Sequence, residues 1–582
     1  MKKVLAIIIA IALITGVTGC SLKPSKSSGN QTSNITATQN GDYTQESLLK
    51  LCDQFFDEGL KLDILNANFM MQDYSYLNIK PELKLFDENQ EDPYTLYYTK
   101  VYEELSKYKD VKLDENIKFE YDIIMNKLSV LNQYKDYEYF YDPLTTMNNT
   151  ATDILYLLSE YRFNNEENIK EYLTLLSQYE KYIDEIISYE NQRAKNGFTM
   201  TKYNADGIIE QMNDVLFDNY LYGAFDERIK TLDFLSDDKK DSYIAENKKS
   251  IEKNIAPALN KLIDFVKTIK YSASSSLAAT KEGKKYYEVL FKDKTGCEKD
   301  LEEIYSMLKK AFDDSMSEIT ALLSKNPNLY NEIYKGIDKT SDFNEMVGEL
   351  FELQKNDFPQ IDKISYKVAS LPTAQQNSGF RALYFTAPID NPNLNNIYVN
   401  EKYMNPKELG SFVTIAHEST PGHMYQTNYF YRTNPMKLRH LMNYVGYLEG
   451  WTTYIENFAL KYADLGGEEA TRLAQIDNYF GTLVYSLVEM DIHYKGTSKE
   501  DIIANLQNYG FDSRTSENIY NSLESNPGVY ISYGVGGLEM MNLSKRLYEK
   551  TNDYKKVNQA ILEAGPCSYD LLEKFCDGYI VK

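Results

Sequence analysis

The stretch Asn405–Gln426, NPKELGSFVTIAHESTPGHMYQ, sets two histidines, a glutamate and a helix breaker close together. It constrains the fold more than any other segment, because it demands a helix that starts, stops and restarts around fixed side chains. The chain has four histidines, His417, His423, His440 and His493, and all lie in the C-terminal third. Asn405 is a favoured N-cap residue, Pro406 suits the first helical position, and Glu408 completes a capping box. A helix is therefore expected from about Pro406 into His417 and Glu418.

Imidazole is the commonest protein ligand for zinc, and a carboxylate beside a ligand can serve as general base. The zinc-peptidase pattern H-E-x-x-H sets its histidines at i and i+4, on one helical face. In H-E-S-T-P-G-H the second histidine is at i+6, roughly 120° round a regular helix. Pro421 lacks an N–H and its ring would clash with the His417 carbonyl, while Gly422 can take up positive φ. A break between Thr420 and His423 is expected, after which the chain returns His423 to the metal. The competing reading is a helix that ends at Pro-Gly with two incidental histidines; the adjacent glutamate and the scarcity of histidine weigh against it.

HESTPGHMYQ resembles the H-E-x-x-P-G-H-x-x-Q signature of the bacterial domain of unknown function 885 family. That family is similar in motif to gluzincin-type zinc metallopeptidases, including the carboxypeptidase Taq and thimet oligopeptidase groups. The likeness continues at EGWTTYIE (Glu449–Glu456), at Asp491-Ile492-His493 and at PGVYISYG (Pro527–Gly534). It implies a mainly α, large multi-helix gluzincin-like fold, with a small β element beside the metal helix and a deep cleft between two lobes.

A zinc that activates water needs three protein ligands and an open fourth position. His417 and His423 supply two, for one Zn2+ per chain. Glu449 and Glu456, two helical turns apart on one face, compete to be the third. Glu449 is preferred, which leaves Glu456 to orient a histidine; the reverse assignment stays open. Glu418 is the expected general base. The developing oxyanion needs a further donor, for which the resemblance offers Tyr533 and Tyr530. His493 is another candidate, its tautomer fixed by Asp491. Short strands are expected at Gly379–Phe385 and Asn396–Val399, where Arg381 could meet a substrate carboxylate, although a structural arginine fits equally well. Trp451 is expected behind the metal helix, and His440 matches no motif.

With 63 Lys+Arg against 86 Asp+Glu the net charge is −23, so nucleic-acid phosphates would be repelled. Met1-Lys2-Lys3, an apolar run from Val4 to Val17 and Val17-Thr18-Gly19-Cys20 resemble a lipoprotein signal, with Cys20 the lipidated residue. An ordinary secretory signal with a coincidental cysteine is the alternative. The expected organisation is a signal over 1–19, a lipidated, polar tether over 20–42, an N-terminal helical lobe over 43–365 and a catalytic lobe over 366–582. Cys567 and Cys576 are near enough in sequence to pair if the chain turns between them.

The expected protein is thus an extracytoplasmic, membrane-tethered zinc metallopeptidase acting on short peptides. Its rivals are a non-catalytic peptide- or nutrient-binding lipoprotein and a zinc hydrolase of a non-peptide amide or ester.

Overall fold

The computed structural model describes residues 43–582 except 87–91, 219, 338–341, 372–375, 377–380 and 582. The expected signal, Cys20 and the tether lie outside the described residues.

The chain is mainly helical, with one small sheet. Helix α1 (Gln45–Leu60) shows why these segments become helices. Thr44 and Ser47 form a reciprocal capping box, and Leu48, Cys52, Phe55 and Phe56 recur on the buried face. Helices α2 (Thr150–Ser159) and α3 (Glu166–Lys195) likewise bury one apolar face, though only α3 has a side-chain cap. In α3 the Asn165 side chain accepts from the Asn168 N–H, and Arg193 and Lys195 sit at the negative end of the helix dipole.

Among the described residues two large apolar cores form, with a small third cluster of Leu371, Leu383 and Phe385. One draws only on residues between Phe56 and Val266; the larger joins residues from Leu48 to Cys576 and includes Tyr286–Leu350 together with the C-terminal helices. Among the described residues no helix is long and apolar enough to cross a membrane. Cys52, Cys297, Cys567 and Cys576 are all buried free thiols, so Cys567 and Cys576 are unpaired.

The sheet consists of β1 (Tyr366–Ser370), β2 (Ala382–Phe385) and β3 (Asn395–Val399) in the order β1-β3-β2. Strand β3 runs parallel to β1 and antiparallel to β2, with Tyr384 opposite Ile397. Strand β2 lies against helix α4 (Leu409–Glu418) and is buried throughout. The expected start of α4 at Pro406 is corrected here. Asn405 accepts from the Lys407 N–H at 3.0 Å through its side chain and from the Glu408 N–H at 2.9 Å through its carbonyl. Those bonds close a separate turn, and the helix begins at Leu409 with no side-chain cap from Glu408.

Beyond α4 come α5 (His423–Arg432), α6 (Val445–Ala459), α7 (Glu468–Met490) and α8 (Tyr530–Thr551). Helices α6 and α8 meet backbone to backbone through glycines. A Cβ on Gly450 would lie 2.6 Å from the Gly536 carbonyl oxygen and 2.3 Å from Tyr569 Oη. That hydroxyl sits 2.9 Å and 2.7 Å from the carbonyls of Gly446 and Gly536, tying the two helices together. Gly450→Ala should therefore cost about 1–3 kcal/mol through overpacking. A clear fall in the calorimetric melting temperature is expected, and an unchanged one would contradict this packing account.

Candidate metal centre

The first helix of the motif stops where its sequence says it should. Helix α4 ends at Glu418, Ser419 takes a non-helical conformation, and α5 starts at His423. Two hydrogen bonds stitch the break, from the Gly422 N–H to the Ala416 carbonyl at 3.1 Å and from the Tyr425 N–H to the Ser419 carbonyl at 3.1 Å. Gly422 has a φ of −78°, so the expected positive φ is not the reason for glycine here. Crowding is the reason. A Cβ at this position would lie 1.9 Å from the His417 carbonyl oxygen and 2.4 Å from that of Ala416. Trp451 Nε1 donates to the Pro421 carbonyl at 2.9 Å, so α6 holds the break from behind.

The break brings the two imidazoles together, with ring centroids 4.8 Å apart and planes at 82°. Glu449 on α6 completes a trio whose ligand atoms all lie within 4.8 Å of one another. Its Oε2 is 3.7 Å from His417 Nε2 and 3.6 Å from His423 Nε2. Ligands about 2.1 Å from a tetrahedral ion stand roughly 3.4 Å apart, close to the two distances from Glu449 to the imidazoles. Both His417 Nε2 and Glu449 Oε2 are buried with no hydrogen-bond partner. Buried polar atoms are nearly always satisfied, so this convergence fits a cation better than it fits an empty protein interior.

Around the trio, Glu456 lies one layer out. Its Oε1 is 2.7 Å from His417 Nδ1, and its Oε2 accepts from Asn478 Nδ2 at 2.8 Å on α7. Once the ring is neutral, a proton kept on Nδ1 by this carboxylate leaves the Nε2 lone pair on the side of Glu449. Burial pulls the His417 imidazole down, but Glu456 and then Glu418 and Glu449 carry it up to about 9. Among the described residues, Glu449 is the carboxylate that lies close to both imidazoles, while Glu456 meets His417 Nδ1 alone.

Glu418 is 2% exposed, with Oε2 accepting from the Tyr384 N–H of β2 at 2.9 Å and Oε1 unpartnered. Burial pushes its carboxyl above the ordinary range, and the two imidazoles oppose that shift. Tyr533, in the first turn of α8, also has a buried, unpartnered hydroxyl. Burial and then the carboxylates of Glu449 and Glu418 hold it well above the ordinary phenol range, so it remains an O–H donor.

Other expected site residues fall elsewhere. His493 is a correction. Its Nδ1 accepts from the Leu277 N–H at 3.2 Å and its Nε2 lies 3.0 Å from the Leu523 carbonyl, so both ring nitrogens are spent on backbone. Asp491 does not set its tautomer; it accepts from Tyr305 Oη at 2.8 Å instead. Tyr530 packs edge-on against Tyr485 with centroids 5.1 Å apart, and its hydroxyl pairs with Ser522. Arg381 lies beside Gly410 at the start of α4, roughly 10 Å along the helix from His417. Among the described residues its Nε and Nη2 are buried without partners. His440 packs among Phe56, Phe430 and Tyr431.

Glu489 escaped sequence reasoning although it positions the site. It is fully buried on α7, and its carboxylate accepts the N–H groups of Gly528 (2.7 Å), Tyr530 (3.0 Å) and Ile531 (3.3 Å). It thereby anchors the turn that starts α8 and carries Tyr533. Its closeness in sequence to Asp491 and His493 is the one signal that points to it.

The sequence matches the family model described as "Bacterial protein of unknown function (DUF885)" over residues 76–575, and the chain belongs to that family. No curated protein matches it. Two solved structures share the fold. One, a "putative lipoprotein" from Colwellia psychrerythraea, has a TM-score of 0.78 at 16% identity, covering 92% of this chain and 99% of that one. The other, a "putative lipoprotein of unknown function" from Shewanella oneidensis, has a TM-score of 0.60 at 16% identity, covering 90% and 99%.

Two expectations follow for this region. Glu456→Ala should weaken zinc binding about 10- to 100-fold, read by competition with a chromophoric chelator, because His417 loses its orienting partner. Separately, burial holds the His493 imidazole down at about 4 in the folded chain. A histidine depressed on folding contributes stability that is complete above its unfolded value of about 6.5 and is lost as pH falls below it. That loss is about 1.4 kcal/mol per pH unit, roughly 3 kcal/mol by pH 4. Urea midpoints measured from pH 7 to 4.5 should fall less steeply in His493→Gln, which keeps a donor and an acceptor.

Proposed function

We propose that the chain is a zinc metallopeptidase acting on short peptides outside the cytoplasmic membrane, to which Cys20 tethers it. The observation that carries this reading is the convergence of two imidazole nitrogens and one carboxylate, with Glu418 adjacent and its Oε1 free. A pure binding protein has no use for that fourth group. His417, His423 and Glu449 would hold the ion, which when bound supplies Lewis acidity and lowers the pKa of water to about 7.

Everything else falls to the chain's own side chains. Glu456 keeps His417 in the Nδ1–H form. Glu418 takes the proton of the attacking water on Oε1 and passes it to the leaving amine nitrogen, while the Tyr384 N–H steadies its other oxygen. Tyr533 donates its hydroxyl proton in a hydrogen bond to the carbonyl oxygen as negative charge gathers there. Arg381 is assigned to a peptide carboxylate, because a buried guanidinium with two unpartnered nitrogens calls for an anion. The extracytoplasmic placement rests on the Val17–Cys20 sequence and on the description of both structural neighbours as lipoproteins.

The test is digestion of a mixed peptide library by zinc-loaded protein lacking residues 1–20, followed by mass spectrometry. Wild type is expected to cleave. Glu418→Gln should retain zinc and lose turnover by at least about 100-fold, and Tyr533→Phe should lower kcat by about 100-fold. Zinc-replete wild type that leaves every peptide intact would overturn the reading. Turnover of esters or simple amides under those conditions would move the substrate class to the non-peptide hydrolase.

A further inference from the structure

A cavity of about 340 Å³ lies between the N-terminal helices and the elements that build the metal centre. Three of its walls begin at that centre. On α5, Gln426, Thr427, Phe430 and Tyr431 line the cavity at i+3, i+4, i+7 and i+8 from His423, which puts them on the helical face that presents the imidazole. On α6, Leu448 lines it next to Glu449. Beside them, Phe385 and Thr386 line it immediately after Tyr384, whose N–H holds Glu418.

Gln426 marks the end nearer the metal. It is 2% exposed, and neither its Oε1 nor its Nε2 has a hydrogen-bond partner. An amide with both ends free inside a protein is costly unless something occupies them. A peptide group is its natural complement, since the C=O would accept from Nε2 and the N–H would donate to Oε1.

Asp153, in the first turn of α2, marks the other end, where the cavity adjoins a smaller one of about 100 Å³ that it also lines. The carboxylates and cations facing this space can be assigned in turn. Asp63 is engaged by the Leu65 N–H at 2.8 Å and by Tyr94 Oη at 3.4 Å. Arg439 is neutralised by Glu120 at 2.6 Å and donates to the Pro566 carbonyl at 2.8 Å. Burial and Arg439 hold the His440 imidazole down at about 3, so it carries no charge at neutral pH. Asp153 has no hydrogen bond or ion pair from its side chain among the described residues. Burial alone lifts its carboxyl to about 8, and a cation placed beside it would favour the ionised form and so be paired with it. Tyr94, Tyr97 and Tyr98 supply aromatic faces along the same wall, the surroundings in which alkylammonium and guanidinium groups are held.

We propose that this cavity receives a substrate residue bearing a cationic group, with Asp153 as the counter-ion and Gln426 holding the peptide group that links that residue to the metal centre. The assignment deepens the peptidase reading by naming its substrate class. The cation can come from a lysine or arginine side chain or from an amino terminus.

The test uses binding to metal-free protein, so that it does not depend on turnover. Four probes are titrated calorimetrically: N-acetyl-lysine methylamide, N-acetyl-arginine methylamide, norleucine methylamide with a free α-ammonium, and the uncharged N-acetyl-norleucine methylamide. At least one cationic probe is expected to bind about tenfold or more tightly than the uncharged one. Preference for the lysine or arginine probe assigns the cation to a side chain, and preference for free norleucine methylamide assigns it to the terminus. In Asp153→Asn that margin should vanish, whereas Gln426→Leu should weaken all probes alike and leave the margin in place. Equal affinity across the probes in wild type, no binding of any of them, or a margin that survives Asp153→Asn would overturn the proposal. A peptidase that cleaves with no preference for basic residues would overturn it while leaving the proposed function standing. Charge-selective binding without turnover would do the reverse.

Discussion

Everything at the candidate metal centre depends on the turn between Glu418 and His423. An uninterrupted helix would hold the two imidazoles roughly 120° apart, too far round the axis to share an ion. The chain instead folds back on itself so tightly that no side chain fits at Gly422, where the carbonyls of Ala416 and His417 occupy the space a Cβ would need. Trp451 fixes the outer side of this turn through the Pro421 carbonyl, and Trp451 stands two residues from Glu449 on the same helix. The bond that secures the break therefore also sets how deeply Glu449 sits beside the two imidazoles. Glycines at the α6–α8 contact then let Tyr533 approach the same point.

Much of this was legible in the residues. Pro-Gly between two histidines announced a break, and two carboxylates seven positions apart on one helix announced that both would face the same histidine. Other features could not be read in one dimension. Glu449 and Glu456 lie on the same face, and only the packing of α6 against α4 determines which of them looks at both imidazoles and which stays with Nδ1. Gly422 was correctly singled out, but for conformational freedom when the cause is contact distance. Asn405 and Glu408 have the spacing of a capping box, yet Asn405 closes a turn of its own, so α4 starts later.

His493 misled because proximity to Asp491 in sequence is not proximity in space. The chain around 491–495 winds so that Asp491 meets Tyr305 while the imidazole turns inward between Leu277 and Leu523. Glu489, two residues before Asp491, does the positioning work by gathering three backbone N–H groups at the start of α8. Its role depends on the loop at Gly528–Ile531 arriving from another part of the chain, which no local pattern announces. Gln426 belongs to the recognisable signature, but its role stays invisible until the cavity beside it and the absence of any partner for its amide are seen together.

X-ray absorption at the zinc K-edge on protein loaded with one equivalent of zinc tests the central claim most directly. The account predicts two imidazole nitrogens and oxygen ligands at about 2.0–2.1 Å, no sulfur, and loss of one imidazole contribution in His423→Ala. A spectrum with sulfur ligands, or one unchanged by His423→Ala, would contradict it.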